Sequence, residues 1–599
     1  MRFEKAAILA LFAAVALQAQ TSVATQNQDP LLRAMQDELK RSNELMRLGL
    51  QLQPPYFIEY RAEDTVTHGI GASLGALIDS TNSAYRIPTV HVRVGNYNFD
   101  NTDHVYSDAF VGTRFDPERL PLDNNYMAFR NVYWLATDRA FKTAEEAIAR
   151  KRSSLKNMSL PDALPDFSKA PPAQLILPLD HKPIDMEPWK KEIVKLSAVF
   201  DAYPQVLSSG VEMQTSQSTD YIVNSEGTTL RLPEDLVYIR VVAHGLAADG
   251  SDVRDAQVFQ AFEVDQLPSE EDLTRAITKV AEHVTALSRS PLGESYDGPV
   301  LFEAPAAAQL FGQLLGDNLK LTRKPVADPG RVPPIVLSEL ENRVGARILP
   351  DWMDVVDDST QTKLGNRLLL GHYLYDMEGV APQPVTLVDK GVLKTFLLTR
   401  TPVFKDYPGS NGHARMPWLF GDRAPGFGNL FIRASQTTPA AAMKQKLIDL
   451  CKQQNKPYGI LIRKLDYPSS ASLTQLRHLM QASEGSHSVT APLLAYKVYP
   501  DGREELVRDM VFHGVSTRSF KDIVAASDEQ YVFDVIDSDA AFARMGAGSF
   551  ITTASIIAPA VLFEEMELAP LEEETPKPPI VPPPPLSETA TASAKALGR

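Results

Sequence analysis

Four side chains in the second half of the sequence have the chemistry of a hydrolytic or metal site: His372, Asp376, Glu378 and His413. Carboxylates and imidazoles ligate metals and move protons near neutral pH. These four could meet only through the fold. No two of the chain's eleven histidines are three to five residues apart, the spacing that sets a zinc-binding pair on one face of a helix. Asp376 and Glu378, followed by Gly379, read equally as turn carboxylates that accept backbone N–H groups ahead of a strand. As an acid/base pair they lack a third partner. Asn411-Gly412-His413-Ala414-Arg415 is a polar, glycine-containing loop. Carried on a rigid sheet, it could line a peptide cleft through Asn411, His413 and Arg415. Glu303 opens an apolar, alanine-rich stretch and could serve as a general base.

Other nucleophile patterns are weaker. Gly71-Ala72-Ser73-Leu74-Gly75 spells Gly-x-Ser-x-Gly, but the polar Thr67-His68-Gly69 precedes it where a nucleophile elbow needs a buried strand. Gly485-Ser486-His487-Ser488 has no recognisable acid partner. Neither a P-loop nor a Gly-x-Gly-x-x-Gly after a strand is present, so nucleotide use is not indicated. Cys451 is the single cysteine. It falls with Met443, Leu447 and Leu450 on one stripe of a helix expected from Pro439 to Lys452, with Thr438 as N-cap, and reads as a core thiol.

The elements that must position these residues alternate. Helical periodicity covers Leu31 to Leu48, Glu145 to Leu155, Met186 to Phe200 and Glu270 to Leu287, the last opened by a capping serine at 269. Strands are expected at Tyr56 to Tyr60, Val90 to Val94, Asp220 to Val223, Thr228 to Leu232 and Val237 to Val242. Past the turn-forming Ser290-Pro291-Leu292-Gly293, strands dominate: Pro384 to Val388, Val392 to Thr399, Tyr458 to Arg463, Ala495 to Tyr499, Leu506 to Val511 and Ser555 to Phe563. Asn224 to Gly227, Asp389-Lys390-Gly391 and Pro500-Asp501-Gly502 are turns between them. The expected fold class is α+β in two domains, a mixed α/β domain over 30–295 and a domain rich in antiparallel strand over 296–570.

Several of these segments, in order, resemble the TldD/PmbA family, once called modulators of DNA gyrase and classed as metallopeptidases. The resemblance is carried by Asn224-Ser225-Glu226-Gly227, Tyr375-Asp376-Met377-Glu378-Gly379-Val380, Val388 to Lys394, Gly409 to Arg415, Gly428 to Ile432 and Arg508 to Gly514, with Val92-Arg93-Val94-Gly95 upstream. It implies a two-domain fold and a role in proteolysis. Active members hold zinc with a His-Glu-x-x-x-His helix at the start of the second domain and a distant cysteine. Three protein ligands of that kind leave an open position for an activated water, with the glutamate as general base. Here, laying Glu303 on the family glutamate puts Phe302 and Ala307 at the histidine positions, and Met545-Gly546-Ala547-Gly548-Ser549 stands where the cysteine belongs. No metal ligand and no cofactor are therefore expected. The resemblance implies the non-catalytic half of a peptide-handling complex, binding a peptide or unfolded segment and a paralogous subunit with the intact motif, as a homo- or heterodimer. The alternatives are an active metal-dependent peptidase with a site regrouped from His372, Asp376, Glu378 or His413, and a stand-alone peptide-binding scaffold.

Composition bounds these readings. The 599 residues carry a net charge of −15, and an acidic chain is a poor general binder of nucleic acid. Arg2 and Lys5 before the apolar Ala6 to Leu17 read as a secretory signal over residues 1–24, so a periplasmic or secreted protein is expected. No later segment approaches about 20 consecutive apolar residues, so no span is expected after leader removal. The proline-rich stretch 571–599, with its acidic run, reads as a disordered tail.

Overall fold

The computed structural model describes residues 29–571 except 49–53, 106–113, 116–118, 157–163, 328–337, 408, 418–422, 467–488 and 538–551, together with residue 581. The expected leader, most of the expected tail, Gly485 to Ser488 and Met545 to Ser549 lie outside the described residues.

Two long antiparallel hairpins make the first sheet. Helix α1 (Pro30–Leu48) leads into β1 (Pro55–Ser73) and β2 (Ala76–Asn96), and after α2 (Tyr126–Leu155) and α3 (Met186–Ser197) come β3 (Ser208–Asn224), β4 (Thr229–Leu246) and β5 (Asp252–Ala261). Their order across the sheet is β2-β1-β3-β4-β5, with short strands at its margins. The first hairpin turns at Leu74 and Gly75, both with positive φ, so the Gly-x-Ser-x-Gly match is a hairpin tip and not a strand-to-helix elbow. Strand β4 runs unbroken through two segments that the sequence reads as separate strands. Pro233 pairs with Thr219 of β3, whereas β5 pairs with β4 only from Val237 onward, so the missing N–H of Pro233 disrupts no second ladder.

Period-two alternation gives this sheet two unlike faces. On one, Ile58, Tyr60 and Ala62 pack with Phe129, Tyr133 and Ala136 of α2 and with Leu32 and Met35 of α1. Farther along the same face, Ile70, Val211 and Ile239 pack with Ile193 of α3 and with Ile277 and Val284 of α4 (Glu270–Leu287). The opposite face turns Glu59, Arg61 and Glu63 toward the C-terminal part of the chain.

That part is built on an eleven-stranded sheet. It begins with β6 (Tyr296–Phe302), followed by α5 (Ala304–Leu310) and a wider helical turn over Phe311–Gly316. Strands β7 (Met353–Asp357), β8 (Val385–Asp389), β9 (Val392–Leu393) and β10 (Asn429–Ala434) form one wing. After α6 (Met443–Gln453), β11 (Gly459–Leu465), β12 (Pro492–Val498) and β13 (Glu504–Val507) form the other. Strands β14 (Met510–His513) and β15 (Ile523–Asp537) both pair with the long β16 (Thr552–Pro570). Most ladders are antiparallel, but β6 with β11 and β10 with β16 run parallel. The fold is α+β. Among the described residues no helix is long and apolar enough to cross a membrane.

Three local expectations are corrected. The strand expected to run to Thr399 ends at Leu393, because the following backbone turns to meet Leu319, Asn411 and Glu378. The segment from Leu506 to Val511 breaks into β13 and β14 at Asp509, which has φ +56°. Helix α6 starts at Met443 behind a 3-10 turn over Ala440–Ala442, and Thr438 does not cap it but accepts from Lys446 and bridges to Ser527. Cys451 is buried against Leu447, Leu461 and Leu562, as its stripe requires.

Candidate functional site at the sheet junction

The segments that carry the chemistry converge where the second sheet meets the polar face of the first. Strand β7 ends in Asp357, which is fully buried. Its Oδ1 lies 2.9 Å from His413 Nε2 and accepts from Ser359 Oγ at 3.0 Å, while Oδ2 accepts the Gly428 N–H at 2.9 Å. His413 Nδ1 lies 3.0 Å from the Asn411 carbonyl. Oxygens thus flank both ring nitrogens. Asn411 accepts from the Leu398 N–H and donates to the Phe396 carbonyl. Two of the three expected cleft residues therefore spend their polar groups on internal partners, and His413 is completely enclosed. Arg415 remains partly exposed, stacked 4.0 Å over the Tyr373 ring and donating to the Thr553 carbonyl.

Asp376 is a backbone acceptor. Oδ1 takes the N–H groups of Glu378 and Val380 at 2.8 and 2.9 Å, and Oδ2 takes that of Ala414 at 3.0 Å. Glu378 Oε2 accepts the Arg400 N–H at 2.6 Å. Both carboxylates hold a loop, and the loop holds the two sheets together. Arg61 of β1 donates to the Met377 carbonyl at 2.5 Å. Gly379 has φ +73°, and a Cβ there would stand 3.0 Å from Thr228 Cγ2, so the loop needs glycine for both conformation and approach. Beside it, Arg400 ion-pairs with Glu226 at 2.7 Å, and Glu226 also accepts from Tyr97. Asn224 Oδ1 accepts from the N–H groups of Glu226 and Thr228, forming the turn between β3 and β4.

Above the loop the polar face carries a second group of charges. Glu63 of β1 lies opposite Asp220 of β3, and Ser218 lies opposite Glu234 of β4. Burial first, and then the Asp220 charge, push Glu63 up to about 7. Burial also raises Asp220, against the pull of Arg61, Arg423 and Arg415. The junction thus sets opposed carboxylates against guanidinium groups. Asp357, Ser359, Arg61, Glu63, Asp220 and Arg400 escape sequence reasoning. Each is an ordinary charged or polar residue of a strand or loop, and only the register of distant strands brings them together.

The chain's residues do not fit the family's zinc ion. The helical stretch 304–316 contains no His, Cys, Asp or Glu in any alignment register. Its polar side chains serve the backbone: Gln309 Oε1 accepts the Leu465 N–H at 2.8 Å and Gln313 Oε1 that of Thr490 at 2.9 Å. Glu303 precedes the helix at its N-cap position, partly exposed and ion-paired with Arg463 at 3.0 Å. His372 Nδ1 lies 2.9 Å from the Ser359 carbonyl. Among the described residues no group of three or more His, Cys, Asp or Glu is placed to hold a metal ion.

Residues 295–570 match the family model of the PmbA/TldA metallopeptidase C-terminal domain. This domain, just under half of the chain, is of the TldD/PmbA family's type. A metalloprotease of Methanothermobacter thermautotrophicus is 26% identical over 233 residues, covering 38% of this chain and 46% of that protein, so the match spans under half of the relative's length. TldE of Thermococcus kodakarensis has a similar fold, with a TM-score of 0.53 at 14% identity over 90% of this chain and 100% of its own. A Thermotoga maritima protein described as a modulator of a DNA gyrase gives a TM-score of 0.51 at 16% identity over 86% of this chain and 96% of its own. At these identities the structural likeness is one of fold. It reaches well beyond the C-terminal domain, into the strands and helices of the first sheet.

Proposed function

We propose that this chain is a non-catalytic member of the TldD/PmbA family that takes part in proteolysis or peptide handling, its catalytic zinc supplied by a paralogue with the His-Glu-x-x-x-His helix. The observation that carries the reading is the helix 304–316. Where the resemblance puts the two histidines, this chain has Phe302 and Ala307, and the helix itself offers only two glutamines, both turned to backbone N–H groups. A general base at Glu303 would have no metal-bound water to activate, and its carboxylate is engaged by Arg463. What the chain contributes is a surface. The junction, where Asp220 and Glu234 lie within electrostatic reach of Arg415, would offer polar groups of both signs to an extended peptide. The leader sequence directs this work outside the cytoplasm.

The test is metal analysis and peptidase assay of the purified protein. The reading expects substoichiometric zinc, no cleavage of unstructured peptides by the chain alone, and cleavage when a motif-bearing paralogue is added. Stoichiometric zinc together with cleavage by the chain alone would overturn it in favour of a regrouped metal site. Peptide binding that no paralogue converts to cleavage would overturn it in favour of a stand-alone scaffold.

A further inference from the structure

The first sheet has an open edge. Strand β2 pairs with β1 along its length. On its other side, among the described residues, short strands meet it only at Val90–His91 and Gly95–Asn96. Residues 76–84 are exposed throughout. Near the hairpin tip Gly71 lies opposite Asp79 and Ala72 opposite Leu77, so Ile78 is the extra residue of a bulge. Past the bulge the ladder is regular from Asp79 to Ile87. The stretch Asp79-Ser80-Thr81-Asn82-Ser83-Ala84-Tyr85 holds neither lysine nor proline, the residues that usually blunt an edge. Such an edge is a template for another extended backbone.

Arg86 fixes which main-chain groups face outward. Its carbonyl accepts the Leu120 N–H at 2.9 Å, on the side away from β1. In an antiparallel ladder the N–H and C=O of one residue point to the same neighbour, and the side alternates along the strand. Ser80, Asn82 and Ala84 therefore turn theirs to the open side, and Thr81 and Ser83 turn theirs to β1. The open slot ends at the Ile78 bulge and at segment 120–122, which the Arg86 guanidinium also holds through the Pro121 and Leu122 carbonyls. It is about 23 Å long. Gly71 and Gly69 stand opposite Asp79 and Thr81, so an added strand meets few side chains that would select its sequence. A second copy of β2 does not fit the slot. Laid antiparallel with its Asn82 against this Asn82, it would carry its own bulge and hairpin tip onto segment 120–122. A short free segment can bend away at both ends. We infer that the open edge of β2, from Asp79 to Tyr85, takes an extended polypeptide segment as an added strand, recognised through the main chain of Ser80, Asn82 and Ala84. The inference rests on the peptide-handling reading and names its substrate class, an unstructured segment held with little regard to sequence. Neutral or basic segments are favoured, because Asp79 is the charged side chain of the slot and the whole chain carries −15.

Fluorescence anisotropy on the full chain tests it with two labelled peptides of alternating threonine and lysine, one of them N-methylated at every residue. Methylation keeps the charge and removes the main-chain donors. The plain peptide should bind saturably and the methylated one at least about tenfold more weakly. Asn82→Pro removes an outward N–H without touching the ladder to β1 and should weaken the plain peptide about tenfold. Asn82→Ala keeps the main chain and should stay within about twofold of wild type. Hydrogen exchange of the wild type is an independent readout that needs no substitution. The Ser80, Asn82 and Ala84 amides should gain protection when the plain peptide binds, with little change at Thr81 and Ser83. Equal binding of the two peptides overturns the inference, as does equal binding by wild type and Asn82→Pro, or unchanged exchange at those three amides. So does a wild-type dimer that Asn82→Pro dissociates, since the edge would then be taken by a second copy. No saturable binding below about 1 mM also overturns it. The peptide-handling reading falls separately, by its own test of cleavage with an added paralogue.

Discussion

The Arg400 guanidinium, from the second sheet's loops, lies 2.7 Å from the Glu226 carboxylate at the turn of the first sheet, and Arg400 is only 1% exposed. It is enclosed between the rings of Phe57 and Phe167, 5.3 and 4.0 Å from their centroids, and also donates to the Ser168 carbonyl. A guanidinium in such surroundings tolerates loss of its counter-charge poorly, because the desolvation cost remains after the attraction is gone. Glu226→Ala should therefore destabilise the protein by about 2–4 kcal/mol in urea unfolding. Glu226→Gln, which keeps an acceptor for Tyr97 and Arg400, should cost about half as much. A loss below about 0.5 kcal/mol for the alanine variant would place the pair among surface ion pairs of little worth.

Asp376 makes a related prediction of different origin. Its carboxylate receives three backbone N–H groups and, among the described residues, has no side-chain cation as a hydrogen-bond partner. In Asp376→Asn one side of the carboxylate becomes an NH2 group facing at least one N–H, so a donor meets a donor. About 2–3 kcal/mol of stability should be lost, with Asp376→Ala at least as costly. Hydrogen exchange should localise the loss, since the Glu378, Val380 and Ala414 amides lose protection before those of the distant β5. Uniform protection across all four would show that the loop is held by its other contacts, Arg61 and Gly379 among them.

These two residues also show how far the sequence could be read. The pattern Asp376-x-Glu378-Gly379 carries its own signal as a turn, since short carboxylates cap N–H groups and glycine permits positive φ. Both features are present. The stripe holding Cys451 was legible for the same reason, a period of 3.6 against an apolar layer. What could not be read is everything set by register between distant segments. His413 looks like a loop histidine until Asp357, fifty-six positions away, is found beneath it. The lengths of the strands were hidden too, because the middle of β1 faces a polar junction on one side, and the alternation that marks a strand fades there. The stretch after Glu303 reads as apolar in the sequence, but a register fixed on Glu303 rests on a residue that lies outside the helix.

Cys451 offers an inexpensive check on the second sheet. The thiol is buried under α6, and burial pushes it up to about 11. Thiol reagents attack the thiolate, which is scarce at pH 8 for such a group, and the side chain must first reach solvent. Native protein should thus react with a chromogenic disulfide at least about a hundredfold more slowly than protein in concentrated denaturant. Fast, full labelling of the native chain would mean that α6 opens readily from β6 and β11.

The opposed pair Glu63 and Asp220 sets a pH dependence whose sign follows from direction alone. Burial and the neighbouring carboxylate push Glu63 up to about 7 from a usual value of 4.5. Between those values the folded chain holds a proton on Glu63 that the unfolded chain has released, so stability falls as pH rises through this window and levels off above about 7. Glu63→Gln keeps a neutral polar side chain and removes that dependence. Asp166, which burial likewise pushes up to about 7, contributes a slope of the same sign and is unaffected by the substitution. The measurement is therefore a difference: urea unfolding of wild type and Glu63→Gln at pH 5 and at pH 8. The wild type should lose about 1–3 kcal/mol more than the variant over that range. Asp220→Asn should shrink the wild-type loss as well, because removing the opposed charge lets Glu63 ionise nearer its usual value. Equal losses in wild type and Glu63→Gln would show that the Glu63 carboxylate stays solvated and that the junction is open to water at that point.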